Sequence, residues 1–190
     1  MDVNGEATLG VIAPVTVAET GRLRLRHLSN GDAAFMLELL NDPDYIQNIG
    51  DRGVRNLEDA GRYILTGPAE SYKQFGFGLY LVELRQPVQS IGICGLLRRD
   101  YHPDVEIGFA FLPTGRGHGY VFEAATAVLG VARSLKLDRI VAITALDNQR
   151  SIRVLEKLGF RFEGTTTFGG QVGARKLFVR ESAIRHDAPG

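Results

Sequence analysis

The sequence predicts an α/β domain: a mixed, mostly antiparallel sheet with one βαβ crossover and helices on both faces. Three observations lead there. Residues 77–112 hold three strand-like apolar runs, the first two joined by Gln86-Pro87, which is the pattern of an antiparallel meander. Gly117 and Gly119 then open a stretch in which Val121, Ala125, Val128, Leu129, Ala132 and Leu135 recur on one helical face. Residues 140–145 follow as a short, nearly continuous apolar run, as expected of a strand covered on both faces. Strand, glycine-rich turn, helix and strand in that order form a crossover, and the sheet must be covered by helices to bury its faces.

The elements follow in chain order. Residues 1–19 show no sustained period and read as a loosely attached tail. Arg22-Leu23-Arg24-Leu25-Arg26 alternates polar and apolar, the period of a half-buried strand. Ser29, Asn30 and Asp32 offer capping chemistry for a helix carrying Phe35, Met36, Leu39 and Leu40, which Asn41-Asp42-Pro43 should end. A second helix is expected over 57–65, stopped by Gly67-Pro68. Strands are expected over 77–84, 91–97 and 105–112, with a polar turn at 100–104 and Pro113 closing the third. After the long helix and the 140–145 strand, Asn148 caps a helix with Ile152, Leu155 and Leu158, and Gly159 stops it. Residues 160–163 and 176–180 read as closing strands around a glycine-rich loop at 168–173.

Composition removes several function classes. The chain has 190 residues, one ordinary domain, with 22 Lys+Arg against 22 Asp+Glu, so no net charge draws it to nucleic acid or to a membrane. Cys94 is the one cysteine, which excludes an internal disulfide, and with four scattered histidines it leaves no expected metal site. Residues 1–20 carry no Lys or Arg and are interrupted by Pro14, unlike a signal peptide, and no apolar run approaches the ~20 residues of a membrane span. The expectation is a cytoplasmic protein with its domain over 20–182 and tails at 1–19 and 183–190.

The chemistry resides in Leu112-Pro113-Thr114-Gly115-Arg116-Gly117-His118-Gly119-Tyr120-Val121-Phe122-Glu123-Ala124. Glycine permits positive φ and close approach of a ligand to the main chain. The first N–H groups of the following helix lack partners within it, and together with the helix dipole they favour an anion. The segment therefore reads as a pyrophosphate cradle. A Walker loop would need Gly-Lys-Ser/Thr, and a dinucleotide fingerprint would need a small residue where Phe122 stands.

Arg116-Gly117-His118-Gly119-Tyr120-Val121 resembles the acetyl-CoA loop of GNAT N-acetyltransferases, Arg/Gln-x-x-Gly-x-Gly/Ala, with Val121 in place of the usual Gly or Ala. Glu106-Ile107-Gly108-Phe109, Gly119-Tyr120-Val121-Phe122-Glu123-Ala124, Asn148 to Phe160, and Thr20 to Arg26 resemble the ribosomal-protein N-acetyltransferase branch. These blocks run in the family's order from about residue 20 to 180. The resemblance implies the GNAT fold and acetyl-CoA as co-substrate with no metal. It also implies contacts to the cofactor from Phe109, Ala110, Phe111, Arg116, Gly117, His118, Gly119, Tyr120, Val121, Asn148 and Ser151. GNAT proteins are often dimers, so the expected state is a monomer or a homodimer.

Acetyl transfer to an amine needs a group to take the amine's proton and a donor for the oxyanion or the thiolate. The resemblance places Glu106 beside the acetyl group as general base, on the strand face shared with Gly108 and Ala110; the alternative is a salt-bridged strand glutamate. Many GNAT enzymes use a Tyr at the position of Leu155; in the ribosomal-protein branch a Ser at the place of Ser151 is the proposed proton donor. A capping hydroxyl is the other reading for Ser151, as a plain cap is for Asn148, which otherwise touches the pantetheine arm. Arg116 can pair with phosphate. Tyr101 and His102 precede the Glu106 strand and can line the acceptor site, while Asp42, Asp44, Glu58 and Asp59 can attract an amine or simply face solvent. Cys94 in Ile91-Gly92-Ile93-Cys94 reads as core rather than nucleophile. The acceptor is expected to be a protein N-terminal amine, with a small amine (polyamine or antibiotic) or a non-catalytic acetyl-CoA-binding module as alternatives.

Overall fold

The computed structural model describes residues 14–167 and 173–181. The strands are β1 (Thr16–Glu19), β2 (Leu23–His27), β3 (Leu79–Arg85), β4 (Val88–Arg99), β5 (His102–Phe111), β6 (Arg139–Ala145), β7 (Arg161–Thr166) and β8 (Arg175–Glu181). They form one sheet in the order β1-β2-β3-β4-β5-β6-β8-β7. Every neighbouring pair is antiparallel except β5 and β6, which are parallel. The helices are α1 (Ala33–Leu40), α2 (Pro43–Asn48), α3 (Leu57–Ile64), α4 (Glu70–Phe75), α5 (Tyr120–Ser134) and α6 (Gln149–Lys157). α5 is the expected crossover between β5 and β6.

The pleat sends alternate residues to two cores. On one face Leu23, Leu25, Tyr80, Val82, Leu96, Val105, Ile107 and Phe111 pack under Ala124, Ala125, Val128 and Ala132 of α5 and Ile152 and Leu155 of α6. Alanines on the buried stripe of α5 let its axis lie close to the sheet. On the other face Leu79, Leu81 and Ile93 meet Met36, Leu39 and Leu40 of α1 and Ala60 and Ile64 of α3. Cys94 belongs to the first core and is fully buried.

Four local expectations are corrected. The sheet begins before Thr20: β1 pairs with β2, so the end of the expected tail is an edge strand. Asn41-Asp42-Pro43 ends α1 but starts α2, because the Asp42 carboxylate accepts the Tyr45 N–H at 3.2 Å and Pro43 takes the first-turn position. Gly67-Pro68 does not stop the second helix. Leu65–Ala69 forms a π turn that includes Pro68, and helix resumes as α4 until Gly76 at φ +75°. The wider turn tolerates a residue without an N–H, and the left-handed glycine then ends the helix. β5 starts at His102, within the segment expected to be a turn. Residues 168–172 of the glycine-rich loop, the first 13 residues and the last nine lie outside the described residues.

One polar network crosses the start of the sheet. Arg26 on β2 donates from Nη1 and Nη2 to the two carboxylate oxygens of Asp32, each at 2.8 Å, and from Nε and Nη2 to Glu83 of β3 at 3.0 and 2.8 Å. Ser29 adds its N–H and hydroxyl to Asp32 at 2.8 and 2.9 Å. Burial alone would push the Asp32 carboxyl up, but the bonds from Arg26 and Ser29 outweigh it and hold it below the usual range. A depressed folded pKa gives stability that is present above the unfolded value and lost as pH falls through the folded one. Removing this cation leaves Asp32 buried without a cationic partner, while Glu83 keeps Arg24 at 3.0 Å, so Arg26→Met should cost about 3 kcal/mol at neutral pH. Denaturant unfolding should show that deficit, and it should narrow in acid as the Asp32 carboxyl, held below its usual range in the wild type, takes up its proton.

Candidate active site

β5 and β6 pair at only two positions, Val105↔Ile140 and Glu106↔Val141. β5 nevertheless continues to Phe111, and β6 stays paired with β8 through Ala145. From Ile107 onward the β6-facing edge of β5 has no strand partner among the described residues. A strand edge in the middle of a sheet keeps its N–H and C=O groups available to a ligand. Phe109 and Ala110 are half-buried on this stretch and Phe111 is buried. Phe109 and Phe111 lie on the α5 side, Ala110 on the α1 and α3 side.

The chain leaves β5 through the cradle. Gly117 and Gly119 have φ of +81° and +79°, and Gly119 caps α5. Any side chain at these positions would be strained. The open N–H groups of the first turn of α5 lie just beyond, so backbone and dipole fit a pyrophosphate. Val121, the departure from the family pattern, packs half-buried against the α5-side core. Arg22, which the sequence reading did not single out for function, lies beside the loop. Its guanidinium donates to the His118 carbonyl at 3.1 Å, sits 4.6 Å from the centre of the Tyr120 ring and pairs with Glu123. The cross-chain pairing with Glu123 left no signal in local sequence.

Arg116 stands differently from a phosphate ligand. Its Nε donates to the Phe111 carbonyl at 2.7 Å, and its two terminal nitrogens hold Asp44 at 2.7 Å and Asp42. Arg150 of α6 reaches Asp44 at 3.4 Å. Asp42 and Asp44 thus tie α2 to the loop after β5 and to the start of α6, rather than standing open for an amine. Glu58 and Asp59 pair with Arg62 on the exposed side of α3.

Glu106 is the last β5 residue joined to β6, so it sits at the fork of the split. It pairs across β4 with Leu97 and is buried. Burial pushes its carboxyl above the usual carboxylate range, against the pull of Arg99, His102 and Arg52. Arg99 Nε lies 3.3 Å from Glu106 Oε2. Tyr101 is held up by burial and by the Glu106 charge. The Tyr63 hydroxyl is likewise pushed up by burial, in the field of Tyr45, Arg52 and Arg99. An open cavity of about 430 Å³ lined by Arg98, Arg99, Asp100, Tyr101, His102 and Pro103 lies at the same hairpin. The structure therefore brings Tyr101 and His102 to Glu106 and adds Arg99 and Arg52, with Tyr63 in the field of the two arginines. The meander register, which sets Leu97 opposite Glu106, was the available signal for Arg99.

Asn148 and Ser151 begin α6, after the end of β6. Asn148 Oδ1 accepts the Ser151 N–H at 3.0 Å, so this oxygen is a helix cap. Ser151 is half-buried, and Leu155 is core at 1% exposure, which rules out a hydroxyl at the tyrosine position. Burial pushes the Cys94 thiol up, which removes the thiolate a nucleophile requires. Among the described residues no three His, Cys, Asp or Glu side chains cluster for a metal, and no helix is long and apolar enough to cross a membrane.

Residues 22–161 match the acetyltransferase (GNAT) domain family. The N-acetyltransferase YnaD of Bacillus subtilis, itself uncharacterized, is 30% identical over 146 residues, covering 76% of this chain and 82% of that protein. The acetyltransferase of Agrobacterium tumefaciens str. C58 superposes with TM-score 0.74 at 23% identity, over 90% of this chain and 95% of the other. The ribosomal L7/L12 α-N-protein acetyltransferase RimL shares the fold with TM-score 0.74 at 15% identity, over 91% of this chain and all of that one (100%). With its split sheet, glycine cradle and family match, the chain belongs to the GNAT family, enzymes that transfer an acetyl group from acetyl-CoA to an amine.

Proposed function

We propose that this acetyltransferase acts on the α-amine at a protein N-terminus, with Glu106 as general base and Ser151 as proton donor. The observation that carries the reading is the position of Glu106, a buried carboxylate with a raised pKa at the fork of the split and beside an open cavity. Acetyl-CoA would lie along the free edge of β5 past Phe109, Ala110 and Phe111, with its pyrophosphate on the N–H groups of Gly117 to Val121. The amine nitrogen attacks the thioester carbon, and the C–S bond breaks as the tetrahedral intermediate collapses. The amine proton passes to Glu106, directly or through a water, and the thiolate takes a proton from the Ser151 hydroxyl as that hydroxyl regains one from solvent water.

Two considerations favour an α-amine. Its ordinary pKa is about 7.7–8.0 against about 10.4 for a lysine-type amine, so a carboxylate base suffices near neutral pH. The sequence blocks also resemble the ribosomal-protein branch, and the fold neighbour RimL is by name an α-N-protein acetyltransferase.

Free-thiol release from acetyl-CoA should be seen with short peptides beginning Ala, Ser or Met. Turnover confined to polyamines would replace the protein acceptor with a small amine. For the base, Glu106→Gln should lower kcat about 10²–10⁴-fold while leaving the acetyl-CoA Kd unchanged. In the wild type kcat/KM should fall with acid at a pH above the ordinary carboxylate range, and the Gln variant should lose that limb. A raised folded pKa means the ionised carboxylate is a net cost to folding at neutral pH. The variant's Tm at pH 7 should therefore not drop, which separates lost chemistry from lost fold. A variant with wild-type turnover would remove Glu106 as base.

A further inference from the structure

The charge around Glu106 is opposite to the one expected at an amine site. The acidic side chains expected to draw an ammonium group are engaged elsewhere: Asp42 and Asp44 with Arg116 and Arg150, Glu58 and Asp59 with Arg62. The cavity at the β4–β5 hairpin instead carries Arg98 and Arg99 on its wall. Arg52, on the exposed segment after α2, faces the Tyr45 hydroxyl, and its charge reaches Tyr63, Tyr101 and Glu106. Of the acids nearby, Glu106 is bound to Arg99 and Asp104 is bound to Arg139 at 2.8 Å, which leaves Asp100 at the tip of the hairpin. Arg99 offers Nε to Glu106 and keeps terminal N–H groups in a fork suited to a second carboxylate.

We infer that the acceptor carries a carboxylate close to its reacting amine, and that Arg99 and Arg52 recognise it while Glu106 takes the proton. This rests on Glu106 as the reacting centre and narrows the proposed acceptor to a peptide with an acidic residue next to its N-terminal amine. An amine docked on Glu106 places a neighbouring carboxylate within reach of the Arg99 fork. A polyamine brings two or more positive charges to the same arginines and is disfavoured by like-charge contact.

The test uses the full chain saturated with CoA, titrated calorimetrically with the peptides Ser-Glu-Glu-Ala, Ser-Gln-Gln-Ala and Ser-Lys-Lys-Ala and with free glutamate. Thiol release from acetyl-CoA is measured in parallel. The acidic peptide should bind about tenfold or more tightly than the basic one, as expected of one or two screened charge contacts. Arg52→Glu should shrink or invert that ratio, and added salt should shrink it. Equal binding, or preference for the lysine peptide, overturns the inference. Turnover of all three peptides at one rate and affinity does so too, yet leaves the N-terminal reading standing. If the acidic peptide binds but only free glutamate is acetylated, the carboxylate is confirmed and the protein acceptor is the part that fails.

Discussion

The structure depends on an interruption. β5 and β6 are held together by two residue pairs and then separate, although both continue as strands. A sheet of this size normally closes every internal edge, because unpaired backbone groups are costly to bury. Here the free edge is maintained by what flanks it. β4 pairs with β5 from Gly92 to Arg99 and β8 pairs with all of β6, so each half of the sheet is complete without the other. α5 and α6 then pack on one face of both halves. The split is built into the fold, with the cradle of Gly117 and Gly119 at one end and Glu106 at the other.

Around that split the polar groups divide by task. Arg116 and Arg150 are spent on Asp42 and Asp44, which fasten α2 across the loop and the start of α6. With Arg116 engaged by Asp42 and Asp44, the proposed phosphate contacts fall to backbone N–H groups, which carry no side-chain entropy to lose on binding. Burial raises the proton affinity of Glu106, and Arg99 pulls against that shift. Both influences suit the proposed base, which must ionise and yet accept a proton from an amine.

Much of this was legible in the sequence. The three-strand meander, the long helix and the apolar run after it follow from periodicity alone, since each element buries a continuous stripe. Glycines at 117 and 119 pointed to the cradle because positive φ has a local cause. Three things were not legible. Strand β1 is too short for a period to show, and its pairing with β2 is a long-range choice. The passage through Gly67-Pro68 depends on a π turn stabilised by packing, against the local rule for proline. The partners of Arg116 lie more than 70 residues away, at Asp42 and Asp44, so spacing within the loop could not reveal them. Arg52 was missed for the same kind of reason, since only the fold brings its charge to Glu106, whereas the register of the β4–β5 meander could have pointed to Arg99.

The most direct test of the split as the cofactor site is amide hydrogen exchange, resolved by residue, with and without acetyl-CoA. The account predicts slowed exchange over residues 107–111 on β5 and at Gly117 to Phe122, with little change in β2 and β3. Slowed exchange elsewhere, with residues 107–111 and the cradle unaffected at saturating acetyl-CoA, would contradict it.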